Sequence, residues 1–223
     1  MTTAEIVSIV CAIVSTLATM VTAIIAIVAV YQTKKQIEIS NKQQLFDRRL
    51  KKYLFTNELL NLYNDSKTIL DDECFYLPSS LESAFTYLTN SSKLESMVNV
   101  LNHYDDFETK KEFLTKCEMI EQISNEIEFL WNDEEIKKVS QFVLLYKKLL
   151  MNMYKQKIFL DKEGQSVKEY IEKPIPQEIY RKKVSIRAET LKLFDINKEL
   201  KMLYQDIEEK NILNKMKESI KLN

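Results

Sequence analysis

Hydrophobic and polar positions divide this chain into two unlike parts. From Ile6 to Thr33 run 28 residues without a charged side chain, IVSIVCAIVSTLATMVTAIIAIVAVYQT. As a helix, its apolar part up to Tyr31 reaches ~39 Å, enough to cross a hydrocarbon core of about 30 Å with tilt. In a soluble domain so long an uncharged stretch would have to be buried all round, and the rest of the chain offers little to surround it. The polar run Gln32–Gln44 contains no breaker, and its main apolar positions, Ile37 and Leu45, are too few for a sustained heptad seam. It reads as a solvated continuation of the same helix.

From Leu45 onward the spacing becomes that of amphipathic helices. Phe46, Leu50, Tyr53, Leu54, Leu60 and Tyr63 predict one helix, ending near Lys67–Asp72 before the Pro78-Ser79-Ser80 turn. Residues 79–90 predict a short Ser-capped helix, with a second at 92–104. Phe113, Leu114, Cys117, Ile120, Ile123, Ile127 and Leu130 mark one face of a long acidic helix. Asn132-Asp133 caps the next, whose face is Ile136, Val139, Phe142, Val143, Tyr146, Leu149, Leu150, Met153 and Tyr154. Asp161–Gln165, holding the only glycine, predicts a loop, and Pro174 and Pro176 a second break. A closing helix from about 177, interrupted near Asp195–Asn197, carries Leu193, Leu200, Leu203, Tyr204, Ile207, Leu213, Met216 and Ile220. The expected fold class is all-α: a transmembrane anchor (1–33), a juxtamembrane stalk (34–44) and a helical bundle (45–223).

Composition points the same way. One Gly and three Pro in 223 residues leave few of the tight turns and phosphate-cradling loops that need positive φ. The 190 residues after the span suffice for one or two small domains with a core. Cys11, Cys74 and Cys117 are odd in number and unpatterned, which fits a reducing compartment rather than a disulfide framework.

Charge orients the span. Only Glu5 precedes it, whereas Lys34, Lys35, Lys42, Arg48, Arg49, Lys51 and Lys52 follow, against Glu38 and Asp47, a balance of 7 − 2 = +5. Basic flanks stay cytoplasmic, so the N-terminus is expected outside and the body inside. A cleaved signal peptide needs a basic start and a shorter apolar core, and neither is present. Ser8, Ala12, Ser15, Thr19, Ala23 and Ala26 recur at three- and four-residue spacing on the span, a face that suits close packing against another membrane helix or a second copy; a monomeric span is the alternative. Within the body, residues 105–135 hold eleven acids and three lysines, and 137–157 six lysines and no acid. Two antiparallel helices with complementary faces account for this, with a basic surface for anionic lipid or nucleic acid as the other reading. With Arg only at 48, 49, 181 and 187, fork-like phosphate or base recognition is poorly supplied, and no nucleic-acid partner is expected.

Candidate chemistry is sparse. His103, the only histidine, stands beside Asp105 and Asp106 and could act as a general base or metal ligand, but neighbours on one helix do not converge on an ion. Asp71-Asp72-Glu73 reads as a solvated turn before a cation site. No Gly-rich phosphate loop, nucleophile elbow or Cys-x-x-Cys pair occurs. Neither enzymatic activity nor a cofactor or metal is expected. Trp131 and the other aromatics, at helical spacing, are read as core.

The run Val30-Tyr31-Gln32, Lys35-Gln36 and then Gln43-Gln44-Leu45-Phe46-Asp47-Arg48-Arg49-Leu50-Lys51-Lys52-Tyr53 resembles a segment of bacterial single-pass membrane-anchored helical proteins, in which a membrane helix leads into a Gln-rich stalk and a Phe-Asp-x-Arg-x-x-x-Tyr element. The likeness covers about 25 of the 223 residues. It implies a bacterial inner-membrane protein, with phage defence or a mobile element as a setting, and supplies no catalytic residues. The function expected is a membrane-tethered interaction or sensor module contacting a cytoplasmic protein. The alternative is an effector that permeabilises the bilayer by assembling its spans.

Overall fold

The structure, a computed structural model, describes residues 2–72, 74–169 and 177–220, with side chains described for all of these but 164–169 and 177. Among the described residues every regular element is a helix: α1 (Thr3–Leu70), α2 (Pro78–Leu88), a 3₁₀ turn (Glu95–Val98), α3 (Asn99–Asn102), α4 (Phe107–Leu130), α5 (Glu134–Glu169), α6 (Gln177–Thr190), α7 (Leu193–Glu209) and α8 (Ile212–Glu218). The all-α expectation therefore holds. The chain divides into two compact units, with the division in α1 between Arg48 and Arg49.

In the first unit, the helix carries one stretch long and apolar enough to cross a membrane, with a mean hydropathy of 2.5 over its most apolar window and no part of that window buried. The second unit, Arg49–Lys221, is a bundle with α5 at its centre. α5 packs on α2, α3, α4, α6, α7 and α8. All nine positions predicted for its apolar face, from Ile136 to Tyr154, are buried. Tyr63 of α1 meets Phe142 edge-on at 5.7 Å and Tyr204 of α7 at 5.5 Å. Phe113 of α4 packs on Tyr154 at 4.8 Å. The polar ends of this core are paired. The Tyr63 hydroxyl donates to Asn197 Oδ1, and Asn197 Nδ2 to the Leu70 carbonyl at the end of α1. Burial, with Asp71 nearby, pushes the Tyr63 phenol well above its ordinary pKa, which keeps it a donor.

Several boundaries differ from those expected, each for a physical reason. α2 begins at Pro78 with Leu77 as its N-cap and no side-chain cap, so Ser79 and Ser80 lie inside it. A proline at the first helical position lacks only an N–H that would be unpaired there. The helix expected at 92–104 is a 3₁₀ turn followed by the single turn α3. Leu94, Met97 and Val100 are all buried, and three-residue spacing aligns side chains on a 3₁₀ turn. The loop expected at Asp161–Gln165 is helical, because α5 continues to Glu169. A lone glycine costs a helix only about 1 kcal/mol, and here Lys157–Asp161 and Lys183–Glu163 pairs and buried Leu160 hold the flank. The closing helix breaks at Leu191–Lys192 and again at Lys210–Asn211, not at 195–197. Lys192 and Asn211 both sit in the left-handed region, at φ 53°. In α1 the buried face is Phe55, Leu59, Leu60, Leu62, Tyr63 and Leu70, while Leu54 stays exposed. Pro174, Pro176 and Glu73 lie outside the described residues.

The charge segregation between α4 and α5 is only partly a direct match. Lys147 pairs with Glu121 across the two helices at 2.6 Å, but Lys157 reaches Glu82 of α2 and Lys138 reaches Asp206 of α7. α5 is central, so its lysines serve three neighbours.

Tyr146 is fully buried, and its hydroxyl donates to the Leu88 carbonyl at the end of α2 at 2.6 Å. Tyr146→Phe should cost about 1–3 kcal/mol by leaving that buried acceptor unpaired. Urea unfolding in detergent micelles should show a lower midpoint with an unchanged slope; an unchanged midpoint would mean the hydroxyl contributes nothing.

Candidate functional site

The most densely connected polar site is a corner built around Arg49, the first residue of the bundle unit. Its Nη1 donates to the Ser219 carbonyl and its Nη2 to the Leu130 carbonyl, both at 2.9 Å. Leu130 is the last residue of α4 and Ser219 the C-cap of α8. The last carbonyls of a helix have no intrahelical donor and form the negative end of its dipole. One planar guanidinium can serve two such ends, where an ammonium cannot present the same fork. The guanidinium carbon also lies 5.5 Å from the centroid of the Trp131 ring. Trp131 is 3% exposed, and its Nε1–H donates to Ser219 Oγ at 2.5 Å. Ser219 Oγ in turn donates to the Met216 carbonyl. Arg49, the α4–α5 corner and the end of α8 are thus joined by one charge.

The sequence placed Arg49 among the membrane-flanking basic residues by position. Within the bundle it ties elements together, and Lys52 does likewise through Glu126 at 2.8 Å. Lys42 pairs along its own helix with Glu38, and Lys34, Lys35, Arg48 and Lys51 make no ion pair among the described residues. A tryptophan closing an apolar face was the available hint of this corner. Its acceptors are backbone carbonyls, which carry no residue signature.

Ser8, Ala12, Ser15, Thr19, Ala23 and Ala26 are all exposed, and at 100° per residue they fall within about 80° of one helix face. The hydroxyls of Thr16, Thr19, Thr22 and Thr33 each donate to the carbonyl four residues back at 2.8 Å. These hydroxyl protons are satisfied without a second helix.

The other candidates are dispersed over the bundle. His103 is exposed at the end of α3. Asp106 caps α4, and hydrogen bonds from the Thr109 N–H and hydroxyl hold its carboxyl below the usual range. Asp71 pairs with Lys201, and Asp72 Oδ1 accepts the Cys74 N–H. No group of three or more His, Cys, Asp or Glu side chains forms a metal site among the described residues. The largest described groove, about 540 Å³, lies between α5 and the α6–α7 turn. Lys148, Lys155 and Lys192 share it with Asp195 and Glu199, so its charge is mixed. A smaller apolar groove of about 260 Å³ is floored by Leu54, Phe55, Met119 and Ile123. On α4, Phe107 and Phe129 are 72% and 87% exposed. Compared with known proteins, the chain matches no family model, no curated protein and no solved structure.

Arg49→Ala should destabilise the bundle by about 2 kcal/mol, since hydrogen bonds to charged groups contribute ~1.5–3 kcal/mol. Arg49→Lys should recover less than half, because its ammonium cannot span both carbonyls in the plane. Equal stability of the lysine variant and the parent would refute the fork.

Thiol labelling checks the packing of α4 separately. Cys117 is buried, and burial pushes its thiol up to about 12, whereas Cys74 is exposed. A water-soluble maleimide at neutral pH should modify Cys74 and leave Cys117 unreacted until the chain is unfolded. Rapid native modification of Cys117 would show the α4–α5 packing to be wrong.

Proposed function

We propose that this chain is a membrane-tethered helical interaction or sensor module. In this reading the N-terminal stretch of α1 spans a bacterial inner membrane once, with the N-terminus outside and the bundle in the cytoplasm. Phage defence or a mobile element is the proposed setting. The observation that carries the reading is that α1 has two unlike surfaces. Its first part presents an apolar surface with nothing packed on it, and its last part supplies Phe55–Leu70 to the core of the bundle. The +5 balance after the span supports the orientation. A protein partner in the cytoplasm is supported by exposed Phe107, Leu114 and Phe129 on α4. At 100° per residue the three fall within about 60° of one helix side, with Phe107 and Phe129 about 33 Å apart along it, which suits an extended contact. That helix holds six acids and three lysines, which fits a basic partner better than nucleic acid.

The second reading is a membrane-permeabilising effector assembled through its span. It is favoured by the small-residue face at Ser8–Ala26, which lies unpacked in the single chain.

Topology and leakage separate these readings. A reporter active only in the cytoplasm, fused after Asn223, should give signal, and one active only after export should not; the reverse pattern would overturn the orientation. Purified chain reconstituted in dye-loaded vesicles should release no dye if it is a tether. Dose-dependent release would replace the tether with the effector.

A further inference from the structure

We propose that α8 is a releasable strap whose seating controls how firmly the bundle holds α1 at Arg49. This deepens the tether reading by giving it a regulated joint. The geometry is the argument. α8 has seven residues, too few to persist as a helix without docking. It is joined to α7 through Lys210–Asn211, with Asn211 held at φ 53°, a left-handed conformation that Asn tolerates better than most residues. Its seat consists of three buried aliphatic side chains, Ile212, Met216 and Ile220, and a Lys215–Glu135 ion pair.

What α8 delivers at its far end is out of proportion to its size. Ser219 supplies one of the two carbonyls bound by Arg49 and, among the described residues, the acceptor of the Trp131 N–H. If α8 lifts, Nη1 of Arg49 and Nε1 of Trp131 lose their partners together. Arg49 Nε is already buried without one, so the guanidinium would be left with the Leu130 carbonyl alone. A half-buried charge that loses a hydrogen bond turns toward water to replace it, and here that motion draws on α1, which carries Arg49. The strap therefore couples the C-terminal end of the bundle to the start of its α1 segment, while the α5 core, anchored by Phe142 and Tyr146, is not part of the joint.

The single tryptophan makes this measurable in the full chain in nanodiscs. Met216→Asp should unseat α8, shift Trp131 emission to the red and speed amide exchange at residues 49–56 by roughly tenfold or more, with protection at Val139–Tyr146 retained. Lys215→Glu should give a smaller change of the same kind, and adding Glu135→Lys should reverse it. Three results would each overturn the proposal: unchanged emission in Met216→Asp; shifted emission with full protection at 49–56; or equal loss of protection at 49–56 and in α5. None of these readouts uses membrane orientation or a partner, so failure here is distinct from failure of the tether reading.

Discussion

One helix in this protein carries two kinds of surface, an apolar stretch long enough to cross a membrane and an amphipathic stretch that enters the bundle. The first part of α1 is exposed along its length, and in hydrocarbon helical geometry, with N–H and C=O groups bonded within the segment, is what a single apolar stretch of chain can adopt. The last part of α1 must instead bury one face and expose the other. The chain meets both demands by changing side chains while keeping the backbone helical from Thr3 to Leu70. Threonines in the first part return their hydroxyls to their own helix. Aromatic and aliphatic residues in the last part dock on α5 and α7.

The bundle is organised by a second constraint, the amphipathic capacity of α5. A helix that packs on six others needs an apolar band wider than a coiled-coil seam. Nine large residues provide it, with Ser140 and Gln156 buried among them. Ser140 is satisfied by Ser124 of α4, and Gln156 Nε2 by the Val184 carbonyl of α6. Lysines at the margins of the band then reach acids on α2, α4 and α7. The ion pairs follow the packing and lie mostly at partly exposed positions, where each contributes little to stability. Specificity of arrangement rests on the buried hydrogen bonds of Tyr63, Tyr146 and Asn197 and on the partly buried pair made by Arg49.

Arg49 shows why helix ends matter in such a fold. Eight helices generate many unpaired carbonyls, and a chain with a single glycine has little access to the usual glycine C-cap. A guanidinium from a neighbouring helix closes two of these ends together. The arrangement makes the margin of the bundle depend on side chains far apart in sequence, from 49 to 219.

The sequence by itself determined what depends on local periodicity and on composition: helices everywhere, an apolar stretch of spanning length, and nine positions of the buried face of α5, to which the structure adds Ser140, Leu145, Gln156 and Leu160. These are legible because a 3.6-residue repeat and an uncharged run are properties of neighbours along the chain. It also came close on α4, where only Leu114 departs from the expected face by remaining exposed. Tertiary structure alone decided the rest. Continuation of α5 past Gly164 is supported by ion pairs that include one from α6, and the breaks at Lys192 and Asn211 occur without a glycine or proline. The partners of Arg49, Tyr146 and Trp131 include backbone carbonyls and a serine hydroxyl brought near by folding. Such acceptors are common to many residues, so no pattern in the sequence marks which of them a given donor will meet.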